Sequence, residues 1–264
     1  MNLGLKDKVI IVTGAAKGIG KGISLSLAEE GAIPIIVGRK EEDNQAVVDE
    51  IVRKGGNAFS VKAELTRQED CLNAVNQVLK KFNRIDGLVN NAGLNDGVGL
   101  ENGNYDDFVA SLHRNLIHYY LMAQYCLPEL IKNKGSIVNI SSKTGEVGQG
   151  NTSAYAASNG GRNALTREWA VELAKYEIRV NAIVVAECWT PQYEKWIKTV
   201  SDSENELKLI TDKIPLENRM TTTEEIADTA VFLLSNRSSH TTGQLIHVDG
   251  GYVHLDRAIK PLDQ

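Results

Sequence analysis

The chain has few of the residues that staple, kink or anchor a fold: three cysteines, five prolines, three methionines and 6% aromatics in 264 residues. Cys71, Cys126 and Cys188 are scattered, odd in number and without metal-ligand spacing. That pattern argues against a disulfide framework and against a metal site, and it favours free thiols in a reducing, cytoplasmic setting. No run approaches the roughly 18 apolar residues that a membrane span needs. Residues 1–8 lead straight into a strand pattern and lack the apolar core of a signal peptide. Charge of neither sign dominates: 29 Lys and Arg against 34 Asp and Glu leave a net −5, which argues against nucleic acid or an anionic membrane as the main partner.

What is present is 42% apolar and 24% charged, enough for one large core. Short β-branched runs at 9–13, 33–37, 58–62, 87–90, 136–140, 179–184 and 244–248 predict seven strands. Between them lie helical patterns near 18–30, 41–53, 67–82, 104–132, 153–176 and 223–235. Such alternation predicts a single α/β domain over 1–264, with a doubly wound parallel sheet and helices on both faces. Its cofactor half is expected at roughly 1–140 and its catalytic and substrate elements at 141–264. Residues 190–220, with Trp189 beside them and Tyr193 and Trp196 within, interrupt the rhythm after a strand's carboxyl end. They read as a substrate lid or as a surface excursion. Residues 116–130 are apolar around most of a helical circumference, which predicts cover by the sheet on one side and a partner subunit on the other. Pro128 predicts a kink or an early end to that helix.

Thr13-Gly14-Ala15-Ala16-Lys17-Gly18-Ile19-Gly20 follows the first strand and opens the first helix. Gly14 can supply a tight turn, and Gly18 and Gly20 let backbone and helix N-terminus approach a pyrophosphate. The spacing resembles the T-G-x-x-x-G-x-G of the short-chain dehydrogenase/reductase family, and the resemblance runs on through Asn90-Asn91-Ala92-Gly93, Asn115, Asn181-Ala182 and Val248-Asp249-Gly250-Gly251. It implies a Rossmann-type fold and a nicotinamide cofactor. The second strand ends Ile36-Val37-Gly38-Arg39-Lys40, with no carboxylate to bond an adenosine ribose. Lys17 and Arg39 together suit a 2′-phosphate, so NADP is expected ahead of NAD; solvated cations and a site that tolerates both cofactors is the alternative. By the same resemblance, Glu64 stands near the adenine, Asn91, Ala92 and Gly93 line the cofactor, and Thr190 contacts the carboxamide.

Ser142 stands thirteen residues before Tyr155, and four residues beyond that tyrosine, where the family has lysine, stands Asn159. The resemblance makes Tyr155 the acid/base, Ser142 the holder of the substrate oxygen and Asn115 the anchor of a proton-relay water. A phenol of pKa about 10 is a poor base at neutral pH. A cation ~4–5 Å away at an effective dielectric of ~20 contributes about 3–4 kcal/mol, or roughly 2–3 pKa units. Asn159 can keep hydrogen bonds to the nicotinamide ribose but carries no charge, so the expectation is activity weakened and displaced to higher pH, with Asn159→Lys raising the neutral rate at least tenfold. Arg162 shares a helical face with both residues but starts roughly 10 Å from Tyr155 along the axis, which favours a surface or interface ion pair over rescue. Lys143 is expected to point away from Ser142.

Several longer blocks resemble the L-fucose dehydrogenase branch of that family, among them 91–97, 114–120, 141–144, 148–153, 166–171 and the ending 249–257. The resemblance implies oxidation of C1 of L-fucose or a related aldose to the lactone, in a homotetramer. Asn95, Gln149 and Glu187 follow strands at their carboxyl ends and could bond sugar hydroxyls, with Trp189 stacking on an apolar sugar face. The bland alternatives are a turn residue, loop surface, a solvated acid and lid core respectively. An oxoacyl or hydroxysteroid reductase and a catalytically impaired NADP-binding protein remain open.

Overall fold

The computed structural model describes residues 2–255. Met1 and residues 256–264 lie outside the described residues, and with them Asp256 and Arg257 of the polar ending. All seven strands form where the β-branched runs predict them: β1 Val9–Thr13, β2 Ile33–Gly38, β3 Phe59–Lys62, β4 Gly87–Asn90, β5 Ser136–Ser142, β6 Arg179–Val185 and β7 Leu245–Val248. They make one parallel sheet in the order β3-β2-β1-β4-β5-β6-β7.

Successive side chains of a strand point to opposite faces, and both faces are covered. On β1, Val9 and Ile11 enter one core with α3 (Gln68–Phe82), α5 (His118–Asn133) and α6 (Ser153–Leu173). Ile10 and Val12 enter the other with α1 (Gly18–Glu29), α2 (Glu41–Arg53) and α9 (Thr223–Leu234). Each such buried Ile or Leu contributes about 1.5–3 kcal/mol. Chain order turns outward on either side of the β1–β4 pair, so the crevice beyond their carboxyl ends is where a doubly wound sheet takes its ligand.

One helical expectation is corrected, and another is met with a π-turn inside it. The stretch read as one helix over 104–132 is α4 (Tyr105–Leu112), one π-turn (His113–Ile117) and α5. Pro128 does not end α5, which runs on to Asn133. Tyr119, Met122, Cys126 and Leu130 are buried on both sides of the proline, and that packing outweighs one lost N–H bond. Residues 190–220 hold two short helices, α7 (Pro191–Ile197) and α8 (Ser203–Thr211). Among the described residues no helix is long and apolar enough to cross a membrane.

At the amino edge of the sheet, Asp86 accepts from the Val9 N–H at 2.9 Å, from Lys8 Nζ at 3.1 Å and from Arg84 Nε at 2.8 Å. Burial alone would raise its pKa; the bonds from Arg84, Val9 and Lys8 outweigh it and hold the carboxyl below the usual 3.8. A depressed folded pKa stabilises above the unfolded value, and the contribution vanishes as pH falls through the folded one. Asp86→Asn should therefore cost about 1–3 kcal/mol at pH 7. In urea melts the gap to the unmodified protein should close as pH drops below 3.8.

Candidate active site

The turn after β1 is built for close packing. Gly14 and Gly18 have φ of +64° and +56°, which L side chains rarely adopt. A Cβ on Gly14 would lie 2.9 Å from Ala92 Cα, and one on Gly20 would lie 2.5 Å from both the Gly14 carbonyl and Asn91 Nδ2. Asn91 does not reach outward: its amide donates to the carbonyls of Thr13 at 2.8 Å and Gly14 at 3.3 Å. The Thr13 hydroxyl accepts from the N–H groups of Asn91 and Ala92 at 2.9 and 3.1 Å. The glycine turn and the Asn91-Ala92-Gly93 loop are thus one rigid unit across the β1–β4 crevice. Helix α1, with Ile19 in its first turn, has neither a side-chain cap nor an acid there, so its N–H groups are left for an anion.

Thr190 caps α7 by accepting from the Tyr193 N–H at 3.2 Å, and it packs beside Gly18, which brings the 190–220 segment to the glycine turn. Lys17 Nζ pairs with Asp43 in the first turn of α2 at 2.8 Å, so it is not a free cation converging with Arg39. The bond and charge of Lys17, with Lys40 and Lys195 nearby, hold the Asp43 carboxyl below its usual value against some desolvation. Arg39 is exposed and lines a cleft with Glu64 and Arg67. Glu64 turns its carboxylate onto the Thr66 N–H and hydroxyl at 3.2 and 3.0 Å.

On the catalytic side, Ser142 ends β5 and accepts from the Thr144 N–H at 3.3 Å, and half-buried Tyr155 lies in the first turn of α6. The π-turn exposes the carbonyl of Asn115, while the Asn115 side chain is spent internally, accepting from the Leu94 N–H at 2.7 Å and donating to Ser111 Oγ at 3.2 Å. Asn159 is completely buried. Its amide donates to the Tyr155 carbonyl at 2.9 Å and to Thr144 Oγ1 at 3.3 Å, so it has no donor left for a ribose. That bonding runs against the expectation that the amide takes over the lysine's hydrogen bonds to the ribose.

The larger correction concerns Arg162. It is no surface residue: only 3% of it is exposed. Its Nε donates to the Asn115 carbonyl at 2.7 Å, and its Nη1 donates to the Ile140 carbonyl at 3.1 Å and to Asn159 Oδ1 at 2.9 Å. Its Cζ lies 4.3 Å from the ring centre of Tyr119 and 5.9 Å from that of Tyr155. Helical side chains lean toward the N-terminus, and that lean covers the axial gap.

Lys143 does not follow the strand alternation either, because the chain turns into a 3₁₀ turn there. It is buried, pairs with Glu187 beyond β6 and lies 4.2 Å from the ring centre of Tyr252. Glu187 is therefore not a solvated acid. Tyr193 also engages Glu187; burial first, and that carboxylate second, push its phenol well above the usual value. Lys143, Tyr193 and Tyr252 were not singled out as site residues by the sequence motifs; a lysine directly after the motif serine was the available signal. Asn95 behaves as a turn residue, accepting from the Gly97 N–H at 3.3 Å, and Gln149 lies exposed on the loop after β5. Trp189 is half-exposed and stands 6.1 Å from Tyr193, ring centre to ring centre.

A family model described as enoyl-(acyl carrier protein) reductase matches residues 14–253. The chain is 38% identical over 250 residues to the 3-oxoacyl-[acyl-carrier-protein] reductase FabG of Thermotoga maritima, covering 94% of this chain and 99% of that one. It is 35% identical over 245 residues to the L-fucose dehydrogenase of Bos taurus, covering 92% and 88%. The chain belongs to the short-chain dehydrogenase/reductase family. The solved structure of Cj0485 dehydrogenase, 46% identical, superposes on this dehydrogenase with a TM-score of 0.93 over 98% of this chain and 99% of its own.

Membership implies a nicotinamide dinucleotide, and the residues fit one: the glycines let the turn pack directly on Asn91 and Ala92, and the uncapped helix end beside it is left for a pyrophosphate. Replacing Gly20 by alanine, whose Cβ would press on the Gly14 carbonyl and displace the turn, should weaken NAD(P)(H) binding at least tenfold in calorimetric titration while the protein still melts cooperatively. Unchanged affinity would show that the cradle does not hold the pyrophosphate.

Proposed function

We propose that this dehydrogenase oxidises C1 of L-fucose or a related aldose to the lactone, with NADP preferred and NAD accepted. The observation that carries the reading is the wall beyond Ser142. There the Lys143–Glu187 pair is buried, with side-chain exposures of 8% and 13%, and Tyr193 and Tyr252 close on it. A polyhydroxylated ring supplies the donors and acceptors such a wall needs, whereas an apolar acyl chain or steroid would leave buried charges facing hydrocarbon. The half-exposed Trp189 supports stacking against a sugar face. The L-fucose dehydrogenase relative supports the same substrate class.

In this reading Ser142 bonds the reacting oxygen and Tyr155 takes the proton of the C1 hydroxyl. Bound cofactor supplies the hydride acceptor. Carbon C1 gives up a hydride and its oxygen a proton, so each turnover yields lactone, reduced cofactor and one proton released through Tyr155. Arg39, with Lys40 and Lys195 around the Lys17–Asp43 pair, leaves the ribose end net positive, which supports NADP. Tyr120 and Val171, on the outer faces of α5 and α6, are 48% and 79% exposed, which supports assembly into the proposed homotetramer. The three buried free thiols suit a cytoplasmic setting.

Purified protein assayed with NADP+ and NAD+ against aldoses and apolar secondary alcohols should turn over L-fucose or a close aldose, with kcat/KM at least tenfold higher for NADP+. Turnover confined to apolar alcohols or to 3-oxoacyl thioesters would overturn the sugar reading.

A further inference from the structure

We infer that Arg162 supplies the positive charge that makes Tyr155 a base, its guanidinium standing in for the lysine that residue 159 does not provide. This rests on the reading of Tyr155 as the acid/base of the site.

A phenol loses its proton near neutral pH only beside a cation, and three observations single out this one. First, Arg162 is buried with its charge unneutralised. Its bonding partners are two backbone carbonyls and one amide oxygen, and no carboxylate pairs with it among the described residues. The field reaches its neighbours: burial first and Arg162 second push His118 down to about 3. Second, Nη2 is buried and has no hydrogen-bond partner in the protein. A Cβ on Gly93 would lie 2.8 Å from that nitrogen, so the free donor sits against the open loop Asn91-Ala92-Gly93 that faces the cofactor crevice. An orphaned donor on a buried cation is costly to leave unmade and marks a place where a bound oxygen belongs. Third, Asn159 suits this cation. Its Oδ1 accepts from Nη1 while its Nδ2 bonds inward, whereas an ammonium at 159 would stand against the guanidinium.

The other titratable groups at this end do not compete. From α5, Tyr119 and His118 stay neutral, since burial raises the first and lowers the second. Beyond β5, Lys143 is committed to Glu187 from beyond β6, and Tyr193 from α7 and Tyr252 from the closing turn face that same pair. The Arg162 guanidinium carbon lies 5.9 Å from the ring centre of Tyr155, close enough for its charge to favour the phenolate.

The test is ultraviolet titration of tyrosinate in the full chain without cofactor, with the Tyr155→Phe protein as the blank for each variant. Tyr155 should ionise at lower pH in the unmodified protein than in Arg162→Met, and Asn159→Lys added to Arg162→Met should restore most of the difference. If Arg162→Met does not fold, Arg162→Gln, which keeps N–H donors without charge, gives the same comparison. With any substrate that is turned over, the loss in Arg162→Met should be at least tenfold at pH 7 and recover toward pH 10, the ordinary pKa of a phenol. Equal ionisation in the unmodified protein and the uncharged variants would overturn the inference, and so would a tenfold gain in neutral rate from Asn159→Lys alone. Because tyrosinate absorbance needs no substrate, failure of the sugar reading leaves this result intact.

Discussion

A guanidinium taken out of water has to be met by acceptors, and the centre of this protein is arranged around that demand. The acceptors for Arg162 come from three elements: the Asn115 carbonyl of the π-turn, the Ile140 carbonyl of β5 and the Asn159 amide of α6. In a regular helix the Asn115 carbonyl would be consumed by the helix itself, and the π-turn is what frees it. The Ile140 carbonyl also accepts from the buried Tyr119 hydroxyl at 2.9 Å. Behind it, Asn90 donates to Asn139 at 3.1 Å, Asn139 to Thr166 at 3.0 Å and Thr166 to the Arg162 carbonyl at 2.8 Å. That chain locks β4, β5 and α6 in one register, so the position of the cation and that of Tyr155 are set together.

The two halves of the site use different physics. Toward the cofactor the chain presents backbone: glycines without side chains, a helix end without a cap and loops tied down by Thr13 and Asn91. Beyond β5 and β6 it carries charge, in the Lys143–Glu187 pair and the two tyrosines on it. Buried ion pairs contribute little net stability, so this pair adds little to holding the fold.

Much of the fold was legible because strand and helix periods are local properties. All seven strands were predicted, and boundaries moved by two residues at most. The glycine turn was legible for the same reason, since its spacing is fixed where β1 passes into α1. What escaped depended on side-chain reach and on neighbours from elsewhere in the chain. The axial distance from Tyr155 to Arg162 was measured correctly, but the length and lean of an arginine decided its place, and the acceptors at 115 and 140 could not be read from α6 alone. Lys143 was misjudged because strand alternation stops at Ser142. Asn159 was weighed as a poor lysine, when its amide is instead consumed by Tyr155, Thr144 and Arg162.

The central claim is that a chain without the family lysine is still equipped to ionise its tyrosine near neutral pH. The pH dependence of kcat/KM of the unmodified protein tests it most directly. The account predicts a rate that levels off well before pH 10, the ordinary midpoint of a free phenol. A rate that keeps climbing about tenfold per pH unit up to pH 10 would contradict it, because Tyr155 would then be titrating as an unassisted phenol.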